Sequence, residues 1–381
     1  MPSRAVARRR VVVLVVLTVA LTAGVAGYAA IVSAGGGDHQ TADWLISYPG
    51  EFVRRGLFGE LLLRLAPPGT ATLWILFAIQ VALYLPIVGY VIWFLERQSW
   101  SWSAIALACS PAGLAFVGWD ARGGFRKEVL GFVALVLLAA ARHAANGMVK
   151  AAALALSLAL WTLAVFSWES IVFMLPAALF LLLGDKPLPL GRALAGIYTA
   201  IGLVAAAASA VFHGSAQTPD QLCAALVDHE LNANLCTGAI AWMGRGLSDG
   251  LQLVEQNLAV HSGYLAMLAL AALPIAFSPW LRRHWPWVVA MVLGILPLFV
   301  LGIDYGRWIH ILFLEIAICM MVASRDLVTS THWTGLSTVL YISLWGIPHA
   351  APTAANVPGW PFDGLVATLI RWVQSALLLL E

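Results

Sequence analysis

Long apolar stretches recur along the whole chain and are separated by short segments that hold most of the charged residues. A helix that crosses a bilayer needs about 20 mostly apolar residues. The pattern therefore predicts an all-α, polytopic transmembrane helical bundle of about twelve spans. The expected spans are 11–33, 71–94, 102–119, 129–141, 151–168, 171–184, 193–212, 263–280, 287–303, 309–323, 334–349 and 364–380. The spans at 129–141 and 171–184 are short, so we expect them to be tilted, broken or re-entrant.

Two of the connecting segments are long. The first, 34–70, begins with three glycines and ends with Pro67, Pro68 and Gly69. Within it, the stretch 52–65 has leucines at four-residue spacing, which predicts a helix lying in the membrane interface. The second, 213–262, is polar, with helical spacing in parts. Both are expected on the extracytoplasmic side.

Composition agrees with this pattern: 61% of the 381 residues are hydrophobic and 10% are charged. Soluble domains carry about 25% charged residues, so a soluble protein is excluded. We expect one integral membrane domain over 1–381 that contacts membrane lipids. No basic run with interleaved aromatic residues indicates a nucleic-acid surface.

The orientation follows from the basic residues. Arg4, Arg8, Arg9 and Arg10 precede the first apolar run. The positive-inside rule places such residues in the cytoplasm, and the loops then assigned to the inside hold more basic residues than the others. This predicts a protein of the cell (inner) membrane with a cytoplasmic N-terminus.

Two of the four cysteines, Cys223 and Cys236, lie in the second long segment. If this segment faces an oxidising compartment, they can form a disulfide. Two unpaired thiols in a helical loop are the alternative. Cys109 and Cys319 lie in apolar runs, where we expect them to be small buried hydrophobic residues.

Four charged clusters from distant parts of the chain fall on the outer side when the spans are threaded alternately. They are Asp43 to Arg55, Asp120 to Glu128, Glu169, and Asp304 to Arg307. Charges beside a bilayer are costly and usually serve substrates, ions or lipid head groups. We therefore expect the clusters to converge on a single site.

The first cluster combines the carboxylates of Asp43 and Glu51 with the guanidinium groups of Arg54 and Arg55. A carboxylate here can act as a general base or hold a divalent ion. Paired arginines can bind a phosphate or pyrophosphate. The alternative is the solvated face of an interfacial helix, with its arginines on lipid head groups.

The second cluster surrounds Gly123 and Gly124, which would allow a ligand to approach the backbone closely. Its cations are candidate anion ligands and its acids would orient them or bind metal; the residues are Asp120, Arg122, Arg126, Lys127 and Glu128. A basic loop on the outer side runs against the positive-inside trend, which favours function.

The remaining two clusters are smaller. Glu169 lies in a short connection, where a solvated hairpin tip is the plainer interpretation. Asp304 and Arg307 are three residues apart and would share a helix face. They form either an ion pair at the membrane boundary or an arginine held ready for a phosphate.

A first span followed by a long outer loop with an acidic residue and an interfacial helix resembles the GT-C superfamily of glycosyltransferases, which use polyprenyl-phosphate sugars. The resemblance implies that Asp43, with Asp38 and Glu51 as competitors, serves as base or metal ligand. The adjacent acidic residues of many members are absent here. The arginine-rich outer loops also resemble envelope polysaccharide polymerases and O-antigen ligases.

The expected function is therefore glycosyl transfer in cell-envelope glycan assembly. The partners would be a polyprenyl-phosphate- or pyrophosphate-linked sugar donor and a glycan acceptor, with a divalent cation as an open question. The catalytic candidates are Asp43, Glu51 and Asp120. The alternatives are a transporter or flippase of lipid-linked glycans, which predicts charges along a path and internal symmetry, and a scaffold subunit of an envelope complex.

Overall fold

The computed structural model describes residues 4–257 and 261–350, together with Gly364, Ile370 and Gln374. All regular secondary structure in this part of the chain is helical. The α-helices are α1 (Arg4–Ser33), α2 (Leu57–Leu65), α3 (Thr70–Arg97), α4 (Trp102–Ala108), α5 (Phe116–Trp119), α6 (Ala121–Gly124), α7 (Glu128–His143), α8 (Gly147–Ser167), α9 (Leu175–Leu183), α10 (Gly191–Val211), α11 (Thr218–Asp228), α12 (Leu247–Gln256), α13 (His261–Ala276), α14 (Pro279–Leu301), α15 (Tyr305–Met321), α16 (Arg325–Val328) and α17 (Gly335–Ser343).

Five of these helices are long and apolar enough to cross a membrane: α1, α3, α8, α10 and α14. Each contains or closely matches a predicted span. Most residues in their apolar windows are not buried by protein, as expected for surfaces that face lipid tails. Over its described residues the chain is thus all-helical, with several candidate membrane-spanning helices.

Two predicted spans differ from the structure. The span predicted at 102–119 is divided into α4 and α5, because Pro111 lacks a backbone N–H and disfavours helical geometry in the residue before it. The span predicted at 334–349 is helical only in α17, and Pro348 lies in the extended segment that follows. The span predicted at 364–380 falls outside the described residues, apart from three isolated positions.

Helices α7 and α15 form the centre of the bundle. Every residue of α15 is buried, and so are most residues of α7. These helices are therefore surrounded by protein. The predicted spans at 129–141 and 309–323 correspond to these central helices.

The two ends of the bundle carry separate sets of polar contacts. At the end where α7 meets α8, Arg97 contacts His143, and Arg10 pairs with Glu96 at 3.2 Å. The residues of the four predicted clusters lie at the other end, where α7 and α15 begin and α8 ends. Charges at both ends and apolar surface between them fit a bundle embedded in a bilayer.

The helix predicted over 52–65 is shorter than expected: α2 begins at Leu57. Phe58 and Leu62 pack inward, whereas Leu61 and Leu65 are exposed. The Phe58 backbone N–H donates to Ser167 Oγ at 3.1 Å, which joins the start of α2 to the end of α8. The exposed leucines leave an apolar strip on the outside of α2.

The second long segment forms a folded cap rather than a loose loop. It contains α11 and α12, and the predicted disulfide between Cys223 and Cys236 is present. The cap contacts the first long segment, because the Ala239 N–H donates to the Asp38 carbonyl at 3.0 Å and the Gly69 N–H donates to the His229 carbonyl at 2.9 Å. The two long segments therefore lie on the same end of the bundle.

Candidate functional site

The structure brings together residues from all four predicted clusters. We refer to the following residues as the charge cluster: Asp43, Arg54, Arg55, Arg126, Lys127, Glu128, Glu169, Asp304 and Arg307. Their side chains are buried or largely buried, with exposures between 0% and 27%. The predicted convergence of these segments on one end of the bundle is therefore observed.

Arg55 and Glu169 form one tight pair within the charge cluster. Arg55 Nη2 and Nε donate to Glu169 Oε1 at 2.7 and 3.0 Å, and Nε also approaches Oε2 at 3.0 Å. Arg55 has a φ of 71°, a left-handed conformation that is unfavourable for an arginine. Strained backbone of this kind is often found at functional sites. Glu169 is therefore an ion-pair partner, not the solvated hairpin tip of the plainer interpretation.

Arg307 is held by two carboxylates and two aromatic rings. Its Nε and Nη2 donate to Glu128 at 3.0 and 2.9 Å, and its Nη1 donates to Asp304 at 2.5 Å. The guanidinium carbon lies 5.1 Å from the Trp168 ring centre and 5.2 Å from that of Trp308. With both carboxylates engaged and only 3% of its side chain exposed, Arg307 organises the cluster and has little capacity left for a ligand.

Asp43 lies near the middle of the charge cluster. Its carboxylate is 3.9 Å from Lys127 Nζ, which itself donates to the Arg55 carbonyl at 2.9 Å. Burial alone would raise the pKa of Asp43, but Lys127, Arg126 and neighbouring arginines outweigh it and lower the pKa. Asp43 is therefore a stable carboxylate in a field of cations, which makes it a weaker base than an isolated buried acid.

Lys127 gives the charge cluster a pH dependence that can be measured. Burial lowers its pKa to about 8, despite the attraction of Asp43. Between pH 8 and the ordinary lysine pKa of about 10.4, the unfolded chain keeps a proton that the folded chain has lost. Stability rises with pH wherever the unfolded state binds more protons. Lys127 should therefore add about 2 kcal/mol to the free energy of unfolding between pH 8 and 9.5.

The measurement compares denaturant unfolding of the detergent-solubilised protein with that of Lys127→Met at several pH values. The difference in unfolding free energy between the two proteins should be flat from pH 6 to 7.5 and should then move in favour of the wild type. A difference that stays constant up to pH 9.5 would show that the pKa of the Lys127 amine is not lowered.

Within the charge cluster, Arg54 and Arg126 are the guanidinium groups with N–H donors left to bind a ligand. Arg126 has 8% of its side chain exposed, and its only ion pair among the described residues is with Asp304 at 4.0 Å. Arg54 lies 3.5 Å from Glu169, whose oxygens already accept from Arg55. The Nε atoms of both arginines are buried without a hydrogen-bond partner in this part of the chain. Burial and a neighbouring arginine lower the pKa of each.

The position of Arg126 is fixed by contacts to the backbone just before it. The Phe125 carbonyl accepts from Trp44 Nε1 at 3.0 Å and from Gln80 Nε2 at 2.7 Å. The Gly124 carbonyl accepts from the Tyr84 hydroxyl. The first long segment and α3 therefore hold the loop that carries Arg126, so its free donors are an ordered feature of the fold. Buried donors without partners are uncommon in native proteins, and each requires an explanation.

Asp120 takes a position beside the charge cluster that its sequence did not predict. Its carboxylate caps α6 through the Gly123 N–H at 2.9 Å. It also accepts from the backbone N–H and Nδ1 of His349, at 2.8 and 2.6 Å. Burial would raise its pKa, but the hydrogen bond from His349 outweighs it and lowers the pKa. Asp120 is thus one half of a carboxylate–imidazole pair.

Two more predicted site residues, besides Asp120, are not part of the charge cluster. Glu51 and Arg122 are exposed, and neither forms an ion pair with any described residue. Arg122 points to solvent because α6 is a single turn whose glycine side packs inward. A side chain at Gly123 would collide with His349 and Phe116. The glycines thus permit close packing of the chain, and the approach of a ligand to this backbone stays a prediction.

The acids of the charge cluster do not form a metal site. Among the described residues, no group of three His, Cys, Asp or Glu side chains is placed to hold a metal ion. The carboxylates of Glu128, Glu169 and Asp304 are each bound to arginine. The described residues of the cluster therefore do not fit a divalent cation.

His349 is the site residue that sequence reasoning missed. It is 229 residues from Asp120 in the chain, and nothing in its local sequence distinguishes it from the other histidines. Comparisons with protein-family models, curated proteins and solved structures found no match.

Proposed function

We propose that the protein is a membrane glycosyltransferase that uses a polyprenyl-phosphate- or pyrophosphate-linked sugar at its extracytoplasmic face, in cell-envelope glycan assembly. The observation that carries the proposal is a pair of guanidinium groups with unpaired, buried Nε atoms, the buried Arg126 and the partly buried Arg54, in a cluster whose other cations are satisfied. Guanidinium groups with free N–H donors match phosphate oxygens in geometry and charge.

In this proposal, the residues of the charge cluster have different roles. Arg126 and Arg54 bind the phosphate and stabilise the charge that develops on it as the sugar leaves. Arg55, Lys127 and Arg307 supply positive potential, and Glu128, Glu169 and Asp304 hold these cations in position. Asp43 remains a candidate base, as the resemblance to GT-C enzymes implies.

The proposed membrane arrangement follows the sequence. The N-terminal arginines lie in the cytoplasm of a cell with an inner membrane, about twelve segments cross or enter the bilayer, and the charge cluster faces outward. The disulfide in the cap, between Cys223 and Cys236, supports an oxidising compartment on that side. The exposed leucines of α2 suit a helix in the outer interface.

The first test of this proposal is binding of polyprenyl phosphate by the purified protein in detergent, followed by tryptophan fluorescence. The matched uncharged lipid, the corresponding polyprenol, is the control. We expect polyprenyl phosphate to bind at least tenfold more tightly, because the proposed contacts are to the phosphate. Equal affinity for the two lipids would rule out a phosphate site.

The second test asks whether binding leads to transfer. Proteoliposomes are supplied with polyprenyl-phosphate hexoses and pentoses, and release of free sugar to water or transfer to a membrane acceptor is measured. Turnover supports an enzyme. Movement of the lipid-linked sugar between leaflets without cleavage would instead support the flippase.

A further inference from the structure

The carboxylate–imidazole pair formed by Asp120 and His349 lies beside the charge cluster. Asp120 accepts from both the Nδ1 and the backbone N–H of His349. Because a carboxylate only accepts hydrogen bonds, Nδ1 must carry a proton, and Nε2 of the neutral ring then holds the free lone pair. This is the arrangement in which an acid orients a histidine base in hydrolytic enzymes.

The backbone around His349 is held on both sides. The Gly306 N–H donates to the His349 carbonyl at 3.1 Å, and the Tyr264 hydroxyl donates to the Pro348 carbonyl at 3.3 Å. A side chain at position 306 would meet the Pro348 carbonyl oxygen at 1.9 Å, so only glycine allows this approach. The imidazole is therefore fixed by three segments: α6, the start of α13 and the start of α15.

The ring itself remains accessible. The side chain of His349 is 28% exposed, compared with 14% for Asp120. Its Nε2 forms no hydrogen bond with a described residue and is not among the buried atoms without partners. His310, three residues after Arg307, is in contrast buried and stacked on Phe116. His349 thus combines a fixed orientation with an open nitrogen.

The pair is also next to the phosphate-binding arginines. The His349 carbonyl accepts from the Gly306 N–H, two residues after Asp304, and Asp304 lies 4.0 Å from Arg126 Nη2. Asp120 precedes Arg126 by six residues in the same loop. A donor whose phosphate contacts Arg126 would therefore place its sugar near the His349 imidazole.

We infer that His349 is the general base of the proposed transfer and that Asp120 is the residue that positions it. The acceptor hydroxyl gives its proton to His349 Nε2 as its oxygen forms a bond with the anomeric carbon of the donor. The bond between that carbon and the phosphate oxygen breaks, and its electron pair leaves with the phosphate. Arg126 stabilises the negative charge that develops there. The proton passes from Nε2 to water after the products leave.

This inference assigns to His349 the role that the resemblance gives to Asp43. Asp43 is paired with Lys127 and surrounded by arginines, which stabilise its charged form and weaken it as a base. The imidazole has no cation within ion-pair distance among the described residues. Asp43 then serves chiefly to hold the cations of the site together.

The inference rests on the proposed function, so the experiment measures binding and turnover separately. The variants are His349→Ala, His349→Gln and Asp120→Asn, with His332→Ala, an exposed histidine whose ring packs against Phe277, as the matched control. Polyprenyl phosphate binding should stay within about threefold of wild type in all four. Turnover of the polyprenyl-phosphate sugars should fall by about 10² to 10⁴-fold in the His349 variants, the usual contribution of acid–base catalysis.

Two further readouts separate a base from a structural residue. Free imidazole in the buffer should restore part of the turnover of His349→Ala and none of that of His349→Gln, whose side chain fills the space. Asp120→Asn should lower the maximal rate with little change in the Michaelis constant. Diethyl pyrocarbonate should modify His349 faster than His310, and bound donor should protect it.

The outcomes are distinct. Full turnover by His349→Gln, with normal binding, would overturn the role of His349 and leave the proposed function intact. A wild-type protein that neither binds polyprenyl phosphate nor turns over any of the sugar donors would overturn both. Loss of binding in the His349 variants, without rescue by imidazole, would show a structural residue and so contradict the inference.

Discussion

Arg126→Ala is expected to weaken binding of polyprenyl phosphate by about 10- to 100-fold, whereas Arg122→Ala, four residues earlier, leaves it unchanged. A hydrogen bond to a charged group contributes about 1.5–3 kcal/mol, and each 1.4 kcal/mol corresponds to about a tenfold change in affinity. Arg122 is exposed and Arg126 is buried, so the two variants remove the same charge from the same loop but only one removes the proposed contact.

The fold should tolerate this change. Arg126 forms no hydrogen bond with a described residue through its guanidinium group, and its ion pair with Asp304 is long at 4.0 Å. Asp304 keeps its closer contact with Arg307. Removing one of several cations that repel each other should leave the thermal unfolding temperature of Arg126→Ala close to that of the wild type. Lost affinity can then be assigned to the missing donors.

The measurement is titration of each variant with polyprenyl phosphate at low and moderate ionic strength, with polyprenol as the uncharged reference. If Arg126→Ala and Arg122→Ala lose affinity equally, the effect is general electrostatic attraction to an anionic lipid and not a specific phosphate contact. Arg54→Ala provides a second variant, with an expected loss of similar or smaller size because Arg54 remains close to Glu169.

The sequence was sufficient to predict that four segments would meet, and the reason is physical. Alternate threading of apolar spans restricts each loop to one of two sides, so charged groups far apart in the chain can be assigned to the same side. The same argument predicted that Arg55, Glu169 and Arg307 would lie near one another. It could not predict which arginine pairs with which acid, because this depends on side-chain packing within the cluster.

Other features of the site were not predictable from periodicity. The division of 102–119 into α4 and α5 depends on one proline inside an apolar run. The pairing of Asp120 with His349 depends on how α6 packs against the segment after α17. The exposure of Arg122 beside the buried Arg126 follows from the single turn of α6, which no hydrophobic pattern marks. Long apolar helices give a clear pattern, whereas one-turn elements are specified by tertiary contacts.

The pair formed by Glu128 and Arg307 should have the largest effect on stability. Both side chains are at most 3% exposed and share two hydrogen bonds. Removing one partner of such a pair leaves an uncompensated buried charge, at a cost of about 3–5 kcal/mol. We therefore expect Arg307→Met, which leaves Glu128 without its cation, to lower the unfolding free energy by about this amount. Glu128→Leu leaves Arg307 its contact with Asp304 and should lower it by less. An exposed pair makes a suitable control: Arg64, 75% exposed, pairs with Glu60 one turn away, and Arg64→Ala should change stability by less than about 0.5 kcal/mol.

The double variant Glu128→Leu/Arg307→Met distinguishes a cost of isolated charge from a cost of lost packing. With both charges absent, the desolvation cost of each also disappears, so the double variant should be more stable than the sum of the single effects implies, by at least about 2 kcal/mol. Asp304 still has Arg126 nearby in that protein, which limits the loss of unfolding free energy.

Denaturant unfolding of the detergent-solubilised proteins, followed by circular dichroism, gives the four values of the cycle. Additive effects would mean that the two residues do not interact through a buried ion pair. Such a result would also remove the physical basis for the site, because Arg126 and Arg54 can attract a phosphate strongly only where water is largely excluded.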